Sequence, residues 1–95
     1  MNGRARPTVQ LDNDRVRVTE WRFAPGDATG WHRHDYDYVV VPMTTGPLRA
    51  RSAQGETVAE LVTGWPYFRE AGIEHDVSNP NAFEFVFVET EIKGR

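Results

Sequence analysis

The chain is 95 residues long, with 39% hydrophobic residues, 26% charged residues and a formal net charge of −3. This length fits one small domain with a single core. Without cysteine there is neither a disulfide framework nor a thiolate, and without a run of lysine or arginine there is no strongly basic surface. No apolar stretch is long enough to span a membrane or form a signal peptide. We therefore expect a cytoplasmic protein that binds neither nucleic acid nor membrane.

Residues 1–7 are polar and include Gly3, Pro7 and two arginines. A polar turn cluster, Asp12-Asn13-Asp14, follows at residues 12–14. They predict a flexible N-terminal arm at residues 1–12, followed by one domain at residues 13–95. The alternative is that this arm adds a strand to a neighbouring molecule. A turn at residues 12–14 then leads into a predicted strand at residues 15–23, which ends before a loop that contains Pro25 and Gly26.

Residues 31–43, WHRHDYDYVVVPM, are dense in tyrosine and valine and predict one continuous strand. Alternate side chains of a strand point to the same face of the sheet. On that basis His32, His34, Tyr36, Tyr38 and Val40 share a face. Two imidazoles at this spacing are suitable neighbouring ligands for a metal ion.

The rest of the chain consists of short apolar stretches separated by turns, and none of them has a clean helical period. We predict extended segments at residues 48–53, 56–62, 64–72, 75–78 and 83–92. Phe68, Phe85 and Phe87 are predicted core residues. The pattern as a whole predicts an all-β single domain with antiparallel strands, arranged as a sandwich or a barrel.

The third histidine of the chain is His75, which is the only candidate for a further imidazole ligand. Neutral imidazoles bind Zn, Fe, Ni and Cu, and a set of three leaves coordination positions open for water or substrate. Any one of these histidines considered alone is more simply interpreted as an ordinary surface or core residue. Their occurrence together, each near glycines, favours a metal site.

The spacing of these residues resembles the two motifs of the cupin superfamily. The first motif is Gly, five residues, His-x-His, three residues, Glu, six residues, Gly; the second is Gly, five residues, Pro-x-Gly, two residues, His, three residues, Asn. The matching positions are Gly26, His32 and His34 in the first motif, and Gly64, Gly72, His75 and Asn79 in the second. Three positions depart from the pattern: Tyr38 replaces Glu, Glu70 replaces Pro, and Gly46 comes one residue late. The stretches WRFAPG, YDYVVVP and EFVFVE also resemble small single-domain cupins associated with beta-alanine degradation.

This resemblance implies a single-domain cupin-type antiparallel jelly-roll β-barrel with His32, His34 and His75 as metal ligands. It implies one divalent transition metal ion per chain, with Fe, Ni, Zn and Mn as candidates. The carboxylate ligand is not carried over, because Tyr38 occupies its position. Three neutral imidazoles leave the +2 charge of the ion uncompensated, so we expect an anionic small-molecule ligand.

Tyr38 is the candidate catalytic residue, with two interpretations that the sequence leaves open. Its phenol could ligate weakly, donate a hydrogen bond or exchange a proton with the ligand, or its ring could simply fill the barrel. Arg49 and Arg51 could hold a substrate carboxylate, although a solvated outer face is the favoured interpretation. Asp35, Asp37 and Asp76 are expected to face solvent, unless one of them orients a ligand imidazole.

Three functions follow from this composition of the site. The favoured one is a small metalloenzyme that acts on a carboxylate or carbonyl compound, with dioxygenase-, lyase- or isomerase-type chemistry. The alternative is a metal-dependent domain that binds or senses a small ligand without catalysis. The third is a structural barrel whose histidines have no function. Because a barrel this small needs help to cover its sheet surface, we also expect a homodimer.

Overall fold

The computed structural model describes residues 3–94, whose regular structure consists of β-strands. Nine strands follow one another along this part of the chain. They are β1 (Arg6–Asp12), β2 (Val16–Phe23), β3 (His32–Arg33), β4 (Asp37–Pro42), β5 (Gly46–Ser52), β6 (Gly55–Leu61), β7 (Tyr67–Arg69), β8 (Glu74–Ser78) and β9 (Phe85–Ile92). Within these residues no helix is long and apolar enough to cross a membrane.

The strands form two antiparallel sheets. The five-stranded sheet has the order β1-β2-β9-β4-β7, and the four-stranded sheet has the order β3-β8-β5-β6. Neighbours in these sheets are mostly distant in sequence, which is the arrangement of a jelly roll. The prediction of an all-β antiparallel jelly roll is therefore confirmed. In the described residues the two sheets keep separate strand ladders, so the barrel is not closed by hydrogen bonds into one continuous sheet.

The hydrophobic core lies between the sheets. Phe23 of β2 and Phe85 of β9 are partners in the strand register and are both fully buried, with 0% exposure. The ring of Phe87 packs against Phe23 with 5.5 Å between centroids. Leu48 and Val77 complete this cluster from the four-stranded sheet. Because both are buried in this cluster, Phe85 and Phe87 are confirmed as core residues. Burial of each of these apolar side chains contributes about 1.5–3 kcal/mol to folding.

Phe68 is not a core residue, and the prediction that it is was wrong. It is 51% exposed, whereas its neighbours Tyr67 and Arg69 line the cavity between the sheets. All three lie in β7, an edge strand of only three residues, where side chains alternate between the two faces. In so short a strand the apolar pattern did not indicate which face is buried.

The predicted boundary after residue 12 also needs correction. Residues 6–12 form β1, which pairs with β2 from Arg6 opposite Arg22 to Asp12 opposite Arg17, with a bulge between Val9 and Leu11. Every residue of β1 is exposed. The strand is therefore held mainly by backbone hydrogen bonds, which a hydrophobic pattern does not reveal. Residues 1 and 2 of the predicted arm lie outside the described part of the chain.

The long strand predicted at residues 31–43 is divided between the two sheets. Strand β3 belongs to the four-stranded sheet and β4 to the five-stranded sheet, so the chain crosses from one layer to the other at residues 34–36. The backbone of His34 is held at this crossing, because its N–H donates to the Ile73 carbonyl and its own carbonyl accepts from Gly72, both at 2.8 Å. Tyr36 lies in the crossing and does not line the cavity, whereas Tyr38 does. The prediction that Tyr36 shares a face with the histidines and Tyr38 is therefore wrong.

Asn79 connects several loops at one end of the core. The residue is only 1% exposed. Its Nδ2 donates to the carbonyls of Phe23 at 3.1 Å and Phe83 at 2.8 Å. Its Oδ1 accepts from the backbone and side-chain nitrogens of Asn81, each at 2.8 Å. The buried amide thus satisfies backbone groups that would otherwise lack partners.

Candidate metal centre

The three histidines come together although 41 residues separate His34 from His75. His32 in β3 is the direct register partner of His75 in β8, and His34 follows immediately after β3. The Nε2 atom of His34 lies 3.0 Å from Nε2 of His32 and 3.1 Å from Nε2 of His75. The structure therefore brings all three predicted ligands into one cluster.

The ring of His32 is oriented by the glycine turn that precedes it. Its Nδ1 lies 2.9 Å from the carbonyl oxygen of Gly30 and 3.2 Å from Oγ1 of Thr29. Because a carbonyl oxygen only accepts, Nδ1 carries the proton and Nε2 presents a lone pair to the other two rings. Gly30 has φ +84°, a left-handed conformation that favours glycine, and its N–H donates to the carboxylate of Asp76 at 3.1 Å. Asp76 thus supports the turn that orients the ring of His32.

The ring of His34 is oriented by stacking on Tyr38. Their centroids are 4.0 Å apart and the planes differ by 17°. Both residues are buried, at 6% and 3% exposure. The tyrosine at the position of the expected glutamate therefore packs against a candidate ligand, and it fixes the plane of the imidazole from the side of β4.

Burial keeps two of the three imidazoles uncharged at neutral pH. Burial, with smaller contributions from the neighbouring His32 and His75, lowers the pKa of His34 to about 4. Burial likewise lowers the pKa of His75 to about 4, with smaller effects of the same sign from His32 and Arg69. Neutral imidazole is the form that binds metal ions.

The donor set fits a metal ion. Unprotonated ring nitrogens that lie about 3 Å apart repel one another unless a proton or a cation lies between them. Ligand nitrogens about 2.1 Å from an ion and at right angles to one another are separated by about 3.0 Å. Two of the three separations in this cluster, 3.0 and 3.1 Å, agree with that value, and all three nitrogens lie within 4.8 Å of one another. The three histidines could therefore hold one metal ion, and the cluster contains no carboxylate.

A cavity of about 110 Å³ lies between the sheets beside this cluster. Its polar lining includes the three histidines together with Thr29, Tyr38, Arg49, Thr57, Tyr67, Arg69 and Glu89. The space is sufficient for several water molecules or a small organic molecule. Burial raises the pKa of Tyr38 well above its ordinary value of 10.0, and the nearby Tyr67 and Glu89 raise it further. The phenol therefore keeps its proton at neutral pH and can donate a hydrogen bond.

Of the two arginines considered in the sequence, Arg49 lines this cavity and Arg51 does not. The side chains of Arg49 and Arg51 are 42% and 64% exposed and form ion pairs with Glu56 at 3.0 Å and Asp76 at 3.1 Å. These contacts agree with the solvated interpretation for Arg51, whereas Arg49 is also part of the cavity lining. A separate contact involves Asp37, whose carboxylate accepts from the backbone N–H of Ala71 at 2.8 Å and so holds the loop before β8.

Glu89, Tyr67 and Arg69 line the cavity but were not identified from the sequence. Glu89 was missed because the segment that precedes it, FEFVFV at residues 83–88, is apolar at nearly every position. Such a segment does not indicate which face of the strand is buried. The two-residue period was the available signal, since Phe85, Phe87 and Glu89 share one face of β9. A charged residue in phase with two core phenylalanines indicates a carboxyl group that faces the interior.

Comparison with known proteins agrees with this structure. No family model matches the chain. The beta-alanine degradation protein BauB of Pseudomonas aeruginosa is 61% identical over 95 residues, which cover 98% of this chain and 100% of that protein. The crystal structure of a cupin domain from Bordetella pertussis Tohama I is 58% identical, with a TM-score of 0.97 and coverage of 99% of this chain and 98% of that one.

The chain belongs to the cupin superfamily. The predicted resemblance is thereby confirmed, and it extends over nearly the whole chain. A more distant structure agrees in fold alone: a double-stranded β-helix domain protein of Klebsiella pneumoniae is 22% identical, with a TM-score of 0.79 and coverage of 98% of this cupin and 80% of the other chain.

Proposed function

We propose that this cupin is a metal-dependent enzyme that acts on a small carboxylate or carbonyl compound. In this proposal His32, His34 and His75 hold one divalent transition metal ion per chain, with Fe, Ni, Zn and Mn as candidates. The observation that carries the proposal is the convergence of three Nε2 atoms at 3.0 and 3.1 Å beside a cavity. Dioxygenase-, lyase- and isomerase-type reactions are compatible with this donor set.

A bound ion would act as a Lewis acid toward an oxygen atom of the ligand or toward oxygen or water. The protein donors in the cluster are imidazoles, so the site would carry a net positive charge and favour an anionic ligand. The Pseudomonas relative is named for beta-alanine degradation. Beta-alanine is itself a small carboxylate, so that name agrees with the anionic ligand proposed here.

Tyr38 is proposed to act directly on the bound ligand. Its ring lies against His34, its side chain lines the cavity, and its hydroxyl remains protonated. A phenol in this position donates a hydrogen bond to a ligand oxygen on which negative charge develops. This role explains why a polar aromatic residue rather than phenylalanine occupies the position.

The test is turnover by untagged protein loaded separately with Fe(II), Mn(II), Ni(II) or Zn(II), on a panel of small carboxylic acids and carbonyl compounds. Product formation with one of these ions is expected. Tyr38→Phe should retain the ion and the stacked ring, and its turnover should fall by about 10²-fold or more. Tyr36→Phe is the matched control, since Tyr36 does not line the cavity. Absence of turnover with every ion and compound would contradict the enzymatic proposal.

A metal-dependent binding or sensing domain without catalysis is the second candidate. It is favoured by the small, largely interior cavity of about 110 Å³, which leaves little room for a second substrate. In that case a small acid would raise the thermal stability of the metal-loaded protein and no product would form.

We also propose that the protein is a homodimer. Strand β1 is a sheet edge whose Val9 and Leu11 side chains are 55% and 49% exposed. A second copy could cover these side chains. Light scattering at micromolar concentration should give twice the mass of the chain, and the mass of one chain would contradict this proposal.

A further inference from the structure

The cavity contains one carboxyl group that the proposed metal site does not use. Among the described residues that line the cavity, Glu89 is the only acidic residue. It lies in β9 between Thr19 of β2 and Val40 of β4, which are its partners in the strand register. The residue is only 8% exposed. Glu89 is therefore an interior carboxyl group beside a space that a ligand could enter.

This carboxyl group has no cationic partner in the described part of the chain. None of the ion pairs within residues 3–94 includes Glu89. Arg69 lines the same cavity, but its guanidinium lies over the ring of Tyr67, 4.5 Å from the centroid, and donates to the Phe68 carbonyl at 3.1 Å. An interior carboxyl group without a cation costs stability. The hydrogen bond from the Trp21 side chain gives Glu89 a neutral partner but no opposite charge.

The strand register places Glu89 within reach of a ligand bound at the histidine cluster. Tyr38 of β4 is directly opposite Glu91 of β9, and Glu89 lies two residues further along β9 on the same face. Tyr38 and Glu89 are thus diagonal neighbours, whose separation in a sheet is about 7–8 Å. Since His34 stacks on Tyr38, a molecule with a short chain of carbon atoms could contact both the cluster and Glu89.

We infer that Glu89 is a binding residue for the ammonium group of a short amino acid, in which a few carbon atoms separate that group from a carboxylate directed at the histidine cluster. This inference rests on the proposed function, because the metal site supplies the attraction for the carboxylate. It extends that function by assigning a second subsite of opposite charge. The ligand class becomes a small zwitterion rather than any small acid.

The electrostatic surroundings agree with this role. Burial, with a smaller contribution from the neighbouring Glu91, raises the pKa of Glu89 to about 7, and a hydrogen bond from the Trp21 side chain opposes this rise. The other titratable or charged side chains that line the cavity are those of Tyr38, Tyr67, Arg49, Arg69, His32, His34 and His75. In the empty cavity the carboxyl group is thus partly protonated at neutral pH. An ammonium group nearby would favour its ionised form.

Calorimetry with two matched probes tests the inference on zinc-loaded protein at pH 8. The probes are 3-aminopropionate and propionate, which differ by the amino group. The wild-type protein should bind 3-aminopropionate at least tenfold more tightly than propionate. Glu89→Gln should abolish this preference and change the affinity for propionate less than twofold. Glu91→Gln is the matched control, because Glu91 lies one step along the same face and pairs with Arg17 at 3.6 Å.

A second arm requires no variant. Because the ionised fraction of a carboxyl group with a pKa near 7 rises about tenfold between pH 6 and pH 8, the preference of the wild-type protein for 3-aminopropionate should rise by about that factor. Equal affinity for the two probes, or a preference that persists in Glu89→Gln, would overturn the inference and leave the proposed function intact. Failure of the zinc-loaded wild-type protein to bind either probe would contradict both.

Discussion

Replacement of Glu89 by glutamine should change the pH dependence of stability in a direction fixed by its burial. The ordinary pKa of this carboxyl group is 4.5, and burial raises it to about 7 in the folded protein. Between these values the folded protein binds more protons than the unfolded chain. The free energy of unfolding must therefore fall as the pH rises through this interval. Glutamine does not titrate, so Glu89→Gln should lack this contribution.

The magnitude follows from the size of the pKa difference. One pKa unit corresponds to about 1.36 kcal/mol, so the whole difference amounts to about 3 kcal/mol. Most of it, about 2–3 kcal/mol, should be lost between pH 5 and pH 8, because part of the change occurs below pH 5. The wild-type protein should thus lose about this much stability relative to Glu89→Gln over the interval.

Urea unfolding of metal-free protein at pH 5, 6, 7 and 8 measures this effect, with the result expressed as wild type minus variant at each pH. The histidines titrate in both proteins, so their contribution cancels in the difference. Their own effect has the opposite sign, because burial lowers the pKa of His34 and His75. A difference that stays constant from pH 5 to pH 8 would refute the conclusion that Glu89 is a buried carboxyl group with a raised pKa.

Two further predictions concern the fold. Asn79→Ala should lower the free energy of unfolding by about 3 kcal/mol, because it leaves several buried backbone groups unpaired. Asn13→Ala, at an exposed turn, should lower it by less than about 1 kcal/mol. Equal losses for the two variants in urea unfolding would refute this role of Asn79. Phe85→Ala should cost about 3–5 kcal/mol and Phe68→Ala less than about 0.5 kcal/mol. A large loss for Phe68→Ala would show that its side chain is buried in solution.

The histidine cluster could be predicted from the sequence because its signals are local and rare. Three histidines in 95 residues, two of them two apart and each near glycines, leave few ways to form one site. The glycines also have a physical role that can be checked. Gly30 and Gly72 have φ +84° and +100°, and their backbone groups contact the segments that carry His32 and His34.

Other features depend on contacts that the sequence does not display. Strand β1 is exposed along its whole length, so its position follows from backbone pairing with β2 rather than from hydrophobic pattern. The break before β4 depends on hydrogen bonds between His34 and the segment at residues 72–73. Glu89 could have been found only by assigning the buried face of a stretch that is apolar on both faces. In each case a partner distant in sequence decides the local structure.

Replacement of the expected glutamate by Tyr38 affects both the histidine cluster and the distribution of charge in the cavity. The tyrosine supplies a stacking surface for His34, and it leaves the candidate ligand set without a negative charge. The acidic group of the cavity is instead Glu89, which lies on β9 and is not part of the cluster. Separation of these charges is what makes a zwitterionic ligand the natural complement of the cavity.

The metal content of untagged protein purified without added chelator tests the central claim most directly. Elemental analysis should find about one transition metal ion per chain in the wild-type protein and far less in His75→Ala, since that variant keeps only two ring nitrogens of the cluster. Thermal stability should rise when the ion is added to metal-free wild-type protein. Metal far below one ion per chain, with no gain in stability on adding Fe(II), Mn(II), Ni(II) or Zn(II), would contradict the account.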